Sequence, residues 1–268
     1  MFIDATVGGG GHTYDLLKRG ARVLAIDRDP QALEYLNKEI RNWKVEIGNL
    51  RLVQGNFANI EEIAKSQGFE KVDGILFDLG VSSYQLEEPR RGFSFLREGP
   101  LDMRMDPNLA VTAADIVNHF EERRLYEIFK TFGQEKLSRP IARAICRARQ
   151  INPIVSTTEL AKIIRGVYKG RVKKIDPATK TFLALRLVVN SELLNLENAL
   201  PQTVELLKYR GRLAIVTFHS LEDRLVKRFF KQERKLVALT KKPVTPGASE
   251  MLRNPRSRAA KLRVAEKI

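Results

Sequence analysis

With one cysteine, three histidines and one tryptophan in 268 residues, the chain has little material for several kinds of chemistry. Cys146 has no second cysteine with which to form an internal disulfide, and a reducing compartment, the cytoplasm, is the expectation. No cluster of Cys and His stands at metal-ligand spacing. Ser82 and Ser83 have no base or acid at triad spacing, which argues against nucleophilic catalysis. No run approaches the ~20 apolar residues that span a bilayer, and no charged-then-apolar leader precedes Asp4, so neither membrane nor secretion is expected. The G-x-G-x-x-G pattern of dinucleotide-binding folds is also missing.

Acids are scarce too, and unevenly so. Residues 1–100 carry 13 Lys and Arg against 15 Asp and Glu, whereas residues 101–268 carry 34 against 17, which accounts for the net charge of +15. A polyanion is the expected partner of the basic part, and without a lipid-anchoring segment nucleic acid ranks above membrane. A surface merely enriched in ion pairs would bring acids along with its bases.

What the sequence does have is concentrated in Met1–Pro30. Phe2-Ile3-Asp4-Ala5-Thr6-Val7 predicts a short strand, Gly8 to Gly11 form an unbroken glycine run, and His12–Arg19 predicts a helix closed by Gly20. A second apolar strand, Arg22–Ile26, ends on Asp27, nineteen residues after Gly8. Strand, glycine loop, helix, strand and acid make up the nucleotide-binding half of a doubly wound α/β fold. Glycines let the backbone approach a ligand, and an acid at that strand tip can accept both hydroxyls of a ribose. A dinucleotide and S-adenosylmethionine both fit. The extra acid on the first strand, Asp4, suits a cationic sulfonium and amino group better than a pyrophosphate.

Further strands are expected at Leu50–Gln54, followed by Gly55-Asn56-Phe57, and at Val72–Phe77, which stops at Asp78; Asn59 with Glu62 predicts a capped helix between them. Parallel strands alternating with helices would bring the glycine loop, Asp27, Phe57 and Asp78 to one crevice. Residues 79–106 are irregular yet rich in apolar side chains, a combination more typical of a functional loop than of disorder. Helical spacing then runs from Thr112 to Ala199, with one long helix expected over Pro177–Leu200 and a capping box at Ser156–Glu159. The expected organisation is therefore a Rossmann-like α/β domain in two parts, residues 1–108 and 200–268, around an all-helical insert, 109–199, that recognises substrate. Arg139, Arg143, Arg147 and Arg149 lie near one face of an insert helix, and Lys169, Arg171, Lys173, Lys174 and Lys180 fill the next loop. Basic helix faces are more often solvated than bound to anything, but these account for much of the positive excess, which puts a backbone-binding role on an equal footing with a solvated one. A strand at Arg212–Phe218, a helix at Arg224–Lys231 and a last strand at Lys261–Ala265 are expected to complete the sheet.

Seven segments carry a resemblance: Asp4–His12, Ala25–Pro30, Asp78–Ser83, Arg91–Phe95, Gly99–Asp106, Phe218–Arg224 and Asn254–Arg258. In this order they resemble the bacterial small-subunit ribosomal RNA cytosine-N4 methyltransferases, the RsmH or MraW family, from Asp4 to the C-terminus. One departure stands at the start, where family members normally carry a further helix and a Pro-Val-Leu segment before the Asp-Ala-Thr motif. The resemblance implies methyl transfer from S-adenosylmethionine to the N4 amino group of a decoding-region cytidine in the 16S rRNA of the small ribosomal subunit. By position, Gly10, Gly11, His12, Asp27, Phe57, Asp78 and Gln85 match the family's cofactor contacts, and Gly8 opens the same run.

An exocyclic cytosine amine is a poor nucleophile because its lone pair is delocalised into the ring. Acceptors on its N–H groups would favour the more nucleophilic sp³ nitrogen, and Asp78, with the carbonyls of Leu79 and Gly80, is the candidate catalytic acceptor. Asp78-Leu79-Gly80-Val81 lacks the prolines and aromatic ring of the Asp/Asn-Pro-Pro-Tyr/Phe tetrapeptide used by many amino methyltransferases, so a base-stacking ring is sought in Tyr84, Phe93 or Phe95. His12 is expected to orient the cofactor, and His219 either faces substrate or is structural. A DNA amino methyltransferase, a different RNA amino methyltransferase and a non-catalytic RNA-binding assembly protein are the alternatives; three intact acids at strand ends weigh against the last.

Overall fold

The computed structural model describes residues 1–168 and 175–268, which divide into two compact units. One joins Met1–Ser82 to Leu193–Ile268; the other is Ser83–Glu192. In chain order the first half of the first unit contains β1 (Phe2–Asp4), α1 (Gly11–Lys18), β2 (Val23–Asp27), α2 (Pro30–Ile40), β3 (Leu50–Gln54), α3 (Ile60–Ser66) and β4 (Val72–Asp78). The second unit is helical: α4 (Ser83–Glu87), α5 (Ala113–His119), α6 (Glu122–Thr131), α7 (Ser138–Arg149), α8 (Thr157–Val167) and α9 (Thr179–Val189). The chain returns through α10 (Glu192–Leu206), β5 (Leu207–Thr217), α11 (Ser220–Gln232), β6 (Leu236–Ala238), α12 (Ala248–Arg253) and β7 (Lys261–Lys267).

All strands belong to one sheet, ordered β3-β2-β1-β4-β5-β7-β6. β1 to β5 run parallel, and β7 runs antiparallel between β5 and β6. The order reverses at β1, which pairs with β2 on one side and β4 on the other, so the loop after β1 opens at the switch point where such sheets bind ligands. This is a Rossmann-like α/β sheet.

The apolar run of β2 shows why the strands are buried. Val23 and Ala25 pack with Leu17, Leu33, Leu36 and Ile40 of α1 and α2, while Leu24 and Ile26 turn to the opposite layer with Ile60, Ala64, Leu200 and Val226. A period of two feeding two apolar layers requires every residue to be hydrophobic. In β4, Gly74 leaves room for Phe2, whose ring carbons lie 2.8 Å from where a Cβ would stand.

Several elements differ from the sequence expectations. The helix expected over Pro177–Leu200 is two helices, broken at Asn190 and Ser191, where Ser191 takes φ +49. Pro201, expected to start a new helix, lies inside α10. Asn59 makes no side-chain cap; Asn56 does so one turn earlier, accepting from the Ala58 amide at 3.0 Å. The units part at 82/83 and 192/193, whereas the sequence suggested 108/109 and 199/200. Hydrogen bonds explain the first difference: Gly99 accepts from the Thr157 amide at 2.9 Å, and Leu101 donates to Val155 at 3.0 Å, so the stretch after Ser83 is stitched to helices. Lys169, Arg171, Lys173 and Lys174 lie outside the described residues.

Candidate active site

Within the first unit, the glycine loop is tied to the strand ends by backbone geometry. Gly8 (φ +49) and Gly10 (φ +82) adopt left-handed conformations that favour glycine. A Cβ on Gly10 would also stand 2.3 Å from Leu36 Cδ1 and 2.9 Å from the ring of Trp43. Gly9 and Gly11 are different. Neither has a positive φ, and a Cβ on either would meet no protein atom within 4 Å. At these two positions the fold itself does not demand glycine; both border open space at the start of α1, a helix that carries no side-chain N-cap. An uncapped helix start behind an unfilled glycine surface is suited to a ligand carboxylate or other electron-rich group.

Asp27 stands beneath this loop. Its Oδ2 accepts the Gly8 amide and its Oδ1 the Asp29 amide, both at 2.9 Å. Although part of the residue is open to solvent, surrounding protein strips water from the carboxyl and pushes its pKa up to about 6. Each oxygen keeps a lone pair for a further donor, which is the capacity a ribose diol requires. Asp4 is fully enclosed: it accepts from Thr13 Oγ1 at 2.7 Å and from the Thr6 amide at 3.3 Å, and burial raises its pKa. Asp4 therefore pins the loop to α1 from below and offers no surface to a ligand.

Asp78 terminates β4, its amide donating to Thr6 Oγ1 at 2.6 Å. Its Oδ2 lies 3.5 Å from Nε2 of His12, and its Oδ1 is buried without a hydrogen-bond partner. A buried carboxylate oxygen left unpaired is costly and uncommon, and the substrate or cofactor of this edge would supply its missing donor. Bonding to Asp78, opposed by partial burial, raises the His12 pKa and so favours the imidazolium. Phe57 follows β3, and its ring meets Phe77 edge-on at 5.4 Å. Gly55 between them donates to the Asp27 carbonyl at 2.9 Å. The described residues thus bring Gly8, Gly10, Gly11, His12, Asp27, Phe57 and Asp78 to one sheet edge.

Gln85 lies in the second unit, buried on α4. Of the candidate stacking rings, Phe93 is also buried, and Phe95 is contacted edge-on by Phe182 at 4.8 Å with Arg165 5.7 Å over its face. The surrounding motifs hold the unit together. Arg91 donates from Nη2 to the carbonyls of Arg104 and Met105 at 2.9 and 3.0 Å, and Arg104 grips both oxygens of Asp102. Burial alone would raise the Asp102 pKa, but bonds from Arg104 outweigh it and hold the carboxyl low. Asn190 closes this knot, accepting from the Met105 amide at 2.8 Å and donating to the Met103 carbonyl at 2.7 Å.

His219 takes a structural part. It caps α11, Nδ1 accepting from the Glu222 amide at 3.4 Å, and Glu222 answers by accepting from the Phe218 amide at 2.9 Å. A Glu three residues after the cap is the readable signal, obscured because histidine stands where Ser or Thr is usual. On α7, Arg139, Arg143 and Arg147 follow one another at helical spacing and are exposed, whereas Arg149 turns inward to the Val117 carbonyl at 2.6 Å.

Known proteins bear directly on this edge. The model of the family described as the MraW methylase family matches residues 1–268. A ribosomal RNA small subunit methyltransferase H of Deinococcus deserti is 48% identical over 266 residues, covering 99% of this chain and 86% of the relative. Proteins of the same name from Carboxydothermus hydrogenoformans (44% identical, 100% and 92% covered) and Persephonella marina (46%, 99% and 92%) are similar along their length. With an S-adenosylmethionine-type glycine loop, acids at the ends of β1, β2 and β4 and relatives of this identity over its whole length, the chain belongs to the MraW methylase family.

Proposed function

We propose that this chain uses S-adenosylmethionine to methylate the N4 amino group of a decoding-region cytidine in 16S rRNA within the small ribosomal subunit. The observation that carries the reading is the Asp78 carboxylate, with one buried oxygen unpaired, at the switch-point edge beside an unfilled glycine surface. The names of the relatives support the substrate class.

In this reading Gly9 and Gly11 line the cofactor bed, Asp27 accepts the ribose hydroxyls and Phe57 borders the adenine. When bound, S-adenosylmethionine supplies an electrophilic methyl group on a sulfonium. Asp78 accepts an N–H of the cytosine amine, localises its lone pair for attack and takes the proton that must leave once nitrogen is alkylated. His12, 3.5 Å from Asp78 Oδ2, steadies the carboxylate as its charge changes. The helical second unit reads the RNA, and action on ribosomal subunits places the protein in the cytoplasm; no helix among the described residues is long and apolar enough to cross a membrane.

The test is transfer of radiolabelled methyl to small ribosomal subunits lacking the modification, with naked 16S rRNA and duplex DNA in parallel, followed by nucleoside analysis. N4-methylcytidine from the ribosomal substrate is the expected product. Label in another nucleoside, or only in DNA, would sink the reading.

A further inference from the structure

β6 runs parallel to β5, and β7 antiparallel to both, so the chain leaves β6 toward one end of the sheet, runs beside the first half of β7 as far as Val244, and re-enters β7 at Lys261 from that end. It is the carboxyl end, the same edge that holds Asp27, Asp78 and the glycine loop, because Thr217, the last residue of β5, pairs with Lys261. This crossing is not a slack loop. Leu239 donates to the Val264 carbonyl at 2.9 Å, Thr240 Oγ1 accepts from the Val264 amide at 3.0 Å, and Val244 exchanges two 2.9 Å hydrogen bonds with Leu262. Beyond these anchors the arm folds on itself into α12 and a 3-10 turn over Pro255–Ala259, with Ser257 buried and its Oγ donating to the Asn254 carbonyl at 2.7 Å.

Charge divides the C-terminal bases into two classes. Lys261 and Arg263, on β7, are consumed internally: Arg263 Nε lies 2.7 Å and Lys261 Nζ 3.4 Å from the carboxylate of Asp223. Burial alone would raise the Asp223 pKa, but these two cations hold it below its ordinary value. Lys241, Lys242, Arg253 and Arg258, on the arm, are exposed, and among the described residues no carboxylate pairs with any of them. Glu250 is the arm's single acid. Four cations held outward on an anchored frame, at the edge where methyl transfer is proposed, form a site for a polyanion rather than for a single ion.

We propose that the arm from Leu239 to Ala260 is an RNA-backbone grip that holds the phosphates flanking the target nucleotide at the carboxyl edge of the sheet. The proposal rests on the functional reading above and adds the element of the catalytic unit that holds the substrate. Arginine and lysine without side-chain readout partners give affinity without sequence preference, so the grip positions the strand and leaves base selection to other residues.

The test uses the full chain carrying Lys241→Gln, Lys242→Gln, Arg253→Gln and Arg258→Gln together, probed with a single-stranded oligoribonucleotide and with small ribosomal subunits. Oligoribonucleotide affinity is expected to fall about tenfold or more, and the slope of log affinity against log salt to become shallower by about 3, at roughly 0.7 per lost phosphate contact. The KM for subunits should rise more than kcat falls, with S-adenosylmethionine affinity and melting temperature at parental values as the check on folding. The charge-conserving variant Lys241→Arg, Lys242→Arg, Arg253→Lys, Arg258→Lys should restore affinity. Parental affinity and slope in the glutamine variant, with methyl transfer intact, would overturn the grip and leave the function standing. A parent that binds S-adenosylmethionine but neither binds nor methylates RNA would overturn both. Binding of the parent to phosphatidylserine vesicles instead of RNA, lost in the variant, would reassign the arm to a membrane and overturn the proposal.

Discussion

Asp102 in the second unit and the Asp27 and Asp78 carboxylates in the first are used in opposite ways. In the knot of the second unit, Asp102 has both oxygens occupied by Arg104, and Arg104 donates from Nη1 to the carbonyls of Pro107 and Leu109 at 2.8 and 2.7 Å. At the strand ends of the first unit, Asp27 meets only two backbone amides, and Asp78 leaves one oxygen unmatched. The motifs are equally prominent in the sequence, yet the satisfied set stabilises the fold while the unsatisfied set is poised for something absent from the chain. Between these acids, unspent hydrogen-bonding capacity, more than charge, marks the ones at the candidate site.

The comparison breaks most visibly at Asp78. Asp78→Asn keeps the volume and removes the charged acceptor, and turnover should fall by about 10² to 10⁴, the range of a lost general base, with a much smaller loss of S-adenosylmethionine affinity in calorimetry. An equal fall in both would make Asp78 a cofactor ligand only. On the scaffold side, Arg91→Met strips one buried and one half-buried carbonyl of their donor and should cost about 2–3 kcal/mol, seen in denaturant unfolding. A loss of turnover in that variant without a loss of stability would erase the distinction between the units.

Asp27 sharpens the comparison through pH. Its folded pKa, about 6, lies above its ordinary value, so the carboxyl is ionised at neutral pH and becomes protonated as pH falls through 6. Protonation removes acceptor capacity, so S-adenosylmethionine affinity should drop as pH is lowered from 7 to 5, by about tenfold per unit below the midpoint. Asp27→Asn should flatten that profile. The smallest effect is expected from Lys38→Ala, which removes an exposed helical pair with Glu34 at 2.8 Å; the denaturant midpoint should stay at the parental value within error.

Much of this was legible from residue order. The strands of the first half announce themselves because both layers of core demand apolar residues, and each stops at a polar residue facing the ligand edge. Glycine pattern alone, however, does not reveal that Gly8 and Gly10 answer to backbone conformation while Gly9 and Gly11 border open space. The break between α9 and α10 was hidden for a different reason: apolar spacing continues across it, and Asn190 is stationed there by bonds to Met103 and Met105, far away in sequence. β6 escaped because three residues carry too little pattern, and its pairing to β7 decides it. Gln85, Phe93 and Phe95 show the same limit, since motif position does not state which side chains face inward.

The insertion of the helical unit between β4 and β5 also sets a timetable. β4 finds its second parallel partner, β5, only after the entire helical unit has been made, Asp78 aligning with Val216. Loop closure over so long a stretch is slow, while β1 to β4 are contiguous in the chain and pair among themselves. Emerging from the ribosome, the protein can lay down the cofactor-side strands early and expose one edge of β4 until β5 arrives, with the helical unit folding in the interval. The strand whose tip carries Asp78 thus keeps an unpaired edge until β5 is made, and that edge is a place where premature association of newly made chains can begin.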